Sequence, residues 1–496
     1  MIMKRIMSDK IVAMLLAFAT SLPLFSQEET VGPAPGDNLV LDLQGAVDYA
    51  IAYNKSLKNA RMDVDRSRAS VWESIAQGLP QVDGSMDYMT YFNYEMEFNF
   101  DMGGGTSFTP EQLADAFNQT QAIMMDEFGY TVTQQDLMTY MVGSTYEGVL
   151  QGMMPPSTIL LSDQSTAKLQ VSQLIFSGMY IVGIQTAKLA KIIAEQNLEF
   201  NELNIKEAVI TSYYLVLITE ESLDILGQNV ENLRETMSQT ETMVNTGMAE
   251  QTDLDQIRIT VNQLENSVKA LERSLELNYN MFRFQLGVDP TAGITLTDSL
   301  ESLFVSADPE VALATPFTME DNVTYQLMKT QEEINGKLLA MEKWTFAPTL
   351  AGFYNYNAKI KTTNFDMNPN HLAGLSLSVP IFSSGMRKAR VDQAKINYEV
   401  SRNNRSILED QLSLQEKQFR YNLQSSLENY ETQRENVHVA QRVYDSYRRK
   451  YEQGMASSLD LTQANTNYLD AESNYMQAIL EVMNAKLQLD KLMNNL

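Results

Sequence analysis

Val216, Leu223, Val230, Met237 and Val244 stand seven residues apart, and Leu254, Val261, Val268, Leu275 and Phe282 resume that spacing beyond Gly247. The pattern returns 207 positions later as Leu423, Tyr430, Val437, Tyr444 and Tyr451, then Leu461, Tyr468, Tyr475, Val482 and Leu489. A seven-residue apolar period keeps one seam of a helix facing a partner and implies left-handed supercoiling. Each copy therefore predicts a long helix folding back on a second one. Gly247 and Gly454 fall where a C′ glycine ends the outgoing helix, and Thr252 and Ser458 are placed to cap the returning one. From Gly178 to Gly247 is 69 residues, roughly 100 Å of helix, more than a compact globular domain holds. The returning helix, about residues 253 to 287, is half as long. The amphipathic stretches 43 to 79 and 318 to 346 are expected to complete the missing half.

The offset of 207 also relates Gly178, Ala187, Lys188, Tyr214, Gly247, Met248, Asp253, Leu254 and Gln256 to Gly385, Ala394, Lys395, Tyr421, Gly454, Met455, Asp460, Leu461 and Gln463. An offset of 268 pairs Asn54, Pro80 and Tyr88 with Asn322, Pro348 and Tyr356. The chain is thus two copies of one unit. The organisation this predicts is a leader over 1–26, a first repeat over 27–290, a linker over 291–316 and a second repeat over 317–496.

After Pro80 and Pro348, which are expected to close the preceding helices, the period switches to two. Over His371 to Phe382, Ala373, Leu375, Leu377, Val379 and Ile381 alternate with Gly374, Ser376 and Ser378. Ala167, Leu169, Val171 and Ile175 repeat the alternation, with one residue of slippage at the following turn, and Val82, Met86, Tyr88 and Phe92 oppose Gln81, Asp83, Ser85 and Asp87. Through the 268 offset, Leu350, Tyr354 and Tyr356 share the side of Met86 and Tyr88. Four strands of about 10 to 12 residues with one oily face fit a tilted transmembrane barrel. The predicted lipid-facing set is Met86, Tyr88, Leu169, Val171, Tyr354, Tyr356, Leu375, Leu377 and Val379. A soluble sandwich with the oily faces inward is the alternative, but four strands divided between two repeats are too few to close unaided, whereas pooling them across subunits removes the edges.

Pro80 to Gly178 spans 98 residues against 37 from Pro348 to Gly385. The first repeat therefore carries an insertion, about 94–165. Gly103 to Gly105 breaks it, Thr109-Pro110-Glu111 starts a helix and Thr133 opens a second amphipathic stretch. Its methionines suit Cu(I) as ligands but equally fill irregular cores, and no His or Cys accompanies them.

At the N-terminus, Lys4, Arg5 and Lys10 precede the apolar run Ile11 to Phe18, and Ser26 offers a small residue for cleavage, as in a secretory leader. Cleavage would take the formal charge from −26 to −28. That charge repels a phosphate backbone, so nucleic acid is not an expected partner. With no cysteine and only His371 and His438, thiolate nucleophiles, iron–sulfur clusters and Cys/His zinc sites are excluded, and no cofactor or metal is expected. No nucleophile elbow, phosphate loop or carboxylate dyad is present, so no enzyme is expected either.

The order helix, strand, long helix, Gly-Met-x-x-x-x-Asp-Leu tip and short helix, given twice, resembles the TolC-like outer-membrane channels over the whole mature chain except the insertion. The resemblance implies a mainly α fold with a small β part. In it, long helical hairpins form an α-barrel, and four transmembrane strands per protomer complete a shared 12-stranded β-barrel in a homotrimer. It implies a passive exit duct of a tripartite efflux or type I secretion system in the outer membrane of a Gram-negative bacterium, joined through a periplasmic adaptor to an inner-membrane pump. It places adaptor contact on Gly247, Met248, Gly454 and Met455, and a gate on Asp460, Tyr451 and Asp253. The family's second acidic ring position falls on Gln463, so one ring is missing. Read without the resemblance, Asp253 and Asp460 are acids near helix N-termini, where negative charge is favoured anyway, and Tyr451 is the last seam residue. A periplasmic coiled-coil adaptor or a structural spacer is the alternative class.

Overall fold

The computed structural model describes residues 38–90, 92, 95–98, 111, 114–115, 118, 157–160, 163–361 and 369–496. The leader, and the insertion with its expected helices apart from a few positions, lie outside the described residues. In chain order the elements are β1 (Leu39–Leu41), α1 (Leu43–Tyr53), α2 (Lys55–Ala76), β2 (Gln81–Met89), β3 (Glu95–Phe98), β4 (Ser157–Leu160), β5 (Gln164–Phe176), α3 (Gly178–Asn245) and α4 (Gln251–Leu286). There follow β6 (Ile294–Leu296), α5 (Leu300–Ala307), α6 (Pro309–Ala314), α7 (Val323–Trp344), β7 (Thr349–Lys361), β8 (His371–Ser378), α8 (Met386–Glu452) and α9 (Ser458–Leu492). Two compact units divide the described residues. One comprises those up to Ser70 with Thr186–Lys337 and Gln393–Leu496, the other those of Val71–Gln185 with Leu338–Asp392.

In the first unit, α3 and α4 form one hairpin and α8 and α9 the other. Every one of the twenty heptad residues is buried or half-buried, as a seam requires. Leu233, Ile257, Val261, Tyr444, Tyr451, Leu461 and Ala464 form one cluster. Val209, Tyr213, Val216, Phe282, Ile479 and Met483 belong to another. The helices expected before the strands are α1 with α2, and α7. They end at Ala76 and Trp344, four residues ahead of Pro80 and Pro348, so a short turn and not the proline closes each.

A repeated asparagine joins the half-length returning helices to these shorter ones. Asn54 Nδ2 donates to the carbonyl of Gln285 at 2.7 Å, while its Oδ1 accepts from the amides of Ser56 and Leu57 at 2.8 and 3.3 Å. Asn322, its counterpart at the 268 offset, donates to the carbonyl of Leu492 at 2.9 Å and accepts from the Tyr325 amide at 3.1 Å. One side chain thus satisfies both an orphan carbonyl at one helix end and orphan amides at the next helix start. Beside the first joint, Gly287 ends α4 with φ +77, and a Cβ there would stand 3.0 Å from the Tyr53 carbonyl oxygen. Gly287→Ala should therefore lower unfolding stability by about 1–3 kcal/mol, from left-handed strain plus crowding of a backbone atom, measurable in denaturant.

The expected linker is folded. β6 pairs in parallel with β1, Ile294 opposite Leu39 and Leu296 opposite Leu41. Leu300 and Ala312 are buried. The Arg420 guanidinium of α8 bonds the carbonyls of Leu313 and Thr315. Its apolar residues find a helix face to cover, α5 and α6 both packing on α9.

The second unit holds a four-stranded antiparallel sheet in the order β2-β5-β7-β8. Register shifts between Leu174 and Phe176 against β7, inside the strand and ahead of the turn where the two copies differ by one residue. β8 ends at Ser378, ahead of Val379 and Pro380, shorter than the strand expected to reach Phe382, since a proline has no N–H for the ladder. Val379 is exposed beyond the strand. Trp344 covers Gly178, where a Cβ would come within 2.1 Å of the indole.

The hairpin tips and the sheet as candidate functional sites

Both outgoing helices end in the same hydrogen-bonded turn. In the first, Met248 N donates to Met243 O at 2.8 Å and Gly247 N to Val244 O at 3.0 Å. In the second, Met455 N donates to Lys450 O and Gly454 N to Tyr451 O, each at 2.8 Å. This is a Schellman motif, with Gly247 and Gly454 at φ +78 and +73. Open space surrounds both glycines, so backbone conformation alone requires them. Met248 and Met455 are left 81% and 67% exposed.

The returning helices begin earlier than Thr252 and Ser458 imply: their N-caps are Glu250 and Ser457. The cause is the acid at the third helical position. Asp253 and Asp460 each reach back to the N-cap amide, at 3.2 and 3.1 Å, and Asp460 also accepts from Ser457 Oγ at 2.7 Å. Those Ser457 hydrogen bonds hold the Asp460 carboxyl below its ordinary range, because they favour the ionised form.

Two contacts tie the first hairpin to the second here. Ser458 Oγ donates to Asp253 Oδ1 at 2.6 Å. The buried Tyr451 hydroxyl lies 2.7 Å from Thr240 Oγ1. Since Thr240 already donates to the Thr236 carbonyl, Tyr451 is the donor. Burial raises the pKa of the Tyr451 phenol. The structure therefore brings two of the three expected gate residues, Tyr451 and Asp253, into bonds across the hairpins, whereas Asp460 is exposed and bonded to its own cap. Sequence reasoning missed Thr240 and read Ser458 only as a helix cap. Their signal is a small hydroxyl residue in a buried position of an otherwise apolar seam.

In the sheet, direct cross-strand partners share a face. Val171 stands opposite both Val82 and Tyr354, and Leu169 opposite Tyr356. Met86 faces Ala167, Tyr88 faces Ser165, Leu377 faces Leu350 and Leu375 faces Gly352. Met86, Tyr88, Leu169, Val171, Tyr354, Tyr356, Leu375 and Leu377 consequently lie on one side, joined by Val82 and His371. Asp83, Ser85, Asp87, Thr166, Lys168, Gln170, Asn355, Asn357 and Ser376 lie on the other. The oily side is uncovered: Met86, Tyr88, Leu375 and Leu377 are each more than 60% exposed. Near one rim Tyr354 OH bonds His371 Nδ1 at 2.8 Å and the Tyr356 ring lies tilted by 37° with its centroid 4.9 Å from that of the imidazole. Asp163 ties Tyr88, Thr90 and Lys361 together beside them. Among the described residues no helix is long and apolar enough to cross a membrane, and no group of three or more His, Asp or Glu is arranged to hold a metal ion.

The model of the family described as outer membrane efflux protein matches residues 161–288 and 342–495, more than half of the chain and both repeats. The chain belongs to the outer membrane efflux protein family. As a member it is an efflux channel of the outer membrane and not an enzyme. Solved structures of similar fold include CusC, at 13% identity and TM-score 0.67 over 94% of this chain and 95% of that one. VceC from Vibrio cholerae aligns at 14% and 0.64 over 91% and 95%, and the CmeC channel of Campylobacter jejuni at 14% and 0.63 over 91% and 85%. No curated protein sequence matches the chain.

Proposed function

We propose that three copies of this chain assemble into one conduit that spans the outer membrane and carries cargo outward, driven by an inner-membrane pump through a periplasmic adaptor. The observation that carries the reading is the sheet, whose apolar face is uncovered and whose outer strands β2 and β8 each have an edge that no strand among the described residues pairs with. Such edges and such a face are untenable alone in water. Since β8 runs opposite to β2, pairing β8 of one copy with β2 of the next continues an antiparallel ladder, and three copies give twelve strands. The α8 helix supports the same reading. It carries one buried seam and a second stripe, Val400, Ile407, Leu414 and Tyr421, seven residues apart and exposed, which fits a helix of a neighbouring copy. The Gly247-Met248 and Gly454-Met455 turns present two equivalent exposed methionines per copy, six per trimer, as contact points for an adaptor. Asp460, exposed at the second tip, would form a ring of three carboxylates that favours cations.

Purified protein in detergent should have the mass of a trimer and conduct ions across a planar bilayer, with Asp460→Ala lowering cation preference. A monomer without conductance overturns the proposal. The two sheet faces supply a separate test. Leu375→Arg should cost about 2–4 kcal/mol of membrane-inserted stability as a charge facing hydrocarbon, while the adjacent Ser376→Arg, on the polar face, should be near neutral. Equal stability of the two variants in vesicle unfolding would remove the lipid assignment.

A further inference from the structure

Eleven residues back from Thr240 along α3, Asn229 pairs with Asn465 of α9. Each amide donates to the other's oxygen, Asn229 Nδ2 to Asn465 Oδ1 at 2.9 Å and Asn465 Nδ2 to Asn229 Oδ1 at 3.2 Å. The two side chains are 4% and 0% exposed. They bind the first repeat to the second, and the contacts tipward of them differ in kind. Tyr451 with Thr240 and Asp253 with Ser458 are single bonds, the latter from a carboxylate within reach of water, whereas the amide pair is double, neutral and dry.

We propose that the Asn229–Asn465 pair is the fulcrum of the tip: it locks the axial register of the two hairpins and confines their separation to the segment beyond it. The physical reason lies in the heptads. An apolar seam that repeats every seven residues is degenerate, because a slide of one heptad again sets apolar against apolar. The amide pair removes that degeneracy. A slide by seven would face Asn465 with Ser222 or Thr236, whose hydroxyls already donate to the carbonyls of Ile218 and Asn232, and would strand buried donors and acceptors. Opening at the tip, roughly 16 Å away along α3 from Asn229 to Thr240, needs the two weaker bonds to break and the apolar cluster around Leu233, Tyr451 and Leu461 to part. The register above is untouched, so the hairpins swing without sliding.

The chain contains no cysteine, so paired spin labels can be placed cleanly. One pair goes tipward, at Glu241→Cys with Arg449→Cys, and one on the opposite side of the amides, at Asp224→Cys with Asp470→Cys; all four positions are exposed. Distances are read in the detergent-purified full chain, with unlabelled protein in excess. In a Tyr451→Phe, Ser458→Ala background the tipward distribution should broaden while the other stays single and narrow. Adding Asn229→Leu and Asn465→Leu, which replaces the amides by an apolar pair that still packs, should give the far-side labels a second population displaced by one heptad, roughly 10 Å along the axis. Thermal unfolding of that variant is expected to match or exceed its parent's, which separates lost register from lost fold. Asn465→Ser, too short to complete the pair, should populate the same second register. A single narrow far-side distribution in both variants overturns the proposal, as does far-side broadening in the latch variant alone. The inference rests on the channel reading only for its consequence. If the unmodified protein fails to conduct, that reading falls, and the label distances still decide the fulcrum.

Discussion

Tyr451→Phe combined with Ser458→Ala should leave the channel open far more of the time than the unmodified protein. The two substitutions delete the bonds that join the hairpins at the tip, at 2.7 and 2.6 Å, and little else. The substituted phenylalanine would keep the ring in its apolar cluster, and Thr240 would keep its bond to the Thr236 carbonyl. A buried hydroxyl pair contributes about 0.5–1.5 kcal/mol, and a hydroxyl on a carboxylate somewhat more when dry, but Asp253 is half-exposed and its share is discounted for solvent. The closed state should lose about 1–3 kcal/mol, or roughly 5- to 150-fold in the closed-to-open ratio. Single-channel recording reads that ratio directly. Unchanged open probability would remove the latch, and with it the gate roles of Tyr451 and Asp253. Asp460→Ala in the same assay should alter selectivity more than open probability, since its carboxylate bonds its own cap and not the neighbouring hairpin.

Asn54→Ala and Asn322→Ala are expected to be among the most destabilising polar substitutions in the chain, about 2–4 kcal/mol each. Loss of the N-cap bonds accounts for about 1 kcal/mol, and the stranded carbonyl of Gln285 or Leu492 for about 1–3 more. The two joints share no partner, so the effects should add in the double variant. Asn54→Ser divides the two contributions. Serine can still cap α2 but is too short to reach Gln285, so it should recover only the smaller part. Denaturant midpoints for Ala, Ser and wild type should therefore rise in that order, and coincidence of all three would show that the joints contribute nothing.

Long helices, the tips and the sheet's faces were legible because each follows from a period. The heptads named α3, α4, α8 and α9 to within a few residues, and alternation named which strand residues share a side. The start of each returning helix was not legible. Thr252 and Ser458 are good caps by type, but Asp253 and Asp460, by reaching back to Glu250 and Ser457, move the cap upstream. The elements within the linker were not legible for a related reason: its apolar residues are too few and too irregular to show a period, and only the surface of α9 gives them a place. Gly178 and Gly385 make the same point. The repeat equates them, yet Gly178 is required because the Trp344 indole lies against it, and Gly385 because its φ is +81.

By itself the sequence determined the duplication, the helical hairpins and the two-faced strands, since these are set by spacing along one chain and by local turn chemistry. Tertiary structure alone decided which polar side chains meet: Asn229 with Asn465, Tyr451 with Thr240, Asp253 with Ser458, and the joints at Asn54 and Asn322. Those partners are separated by 170 to 236 positions. A hydrogen bond depends on where two atoms stand to within a few tenths of an ångström, a quantity that hydrophobic period leaves free and that only packing of the completed fold fixes.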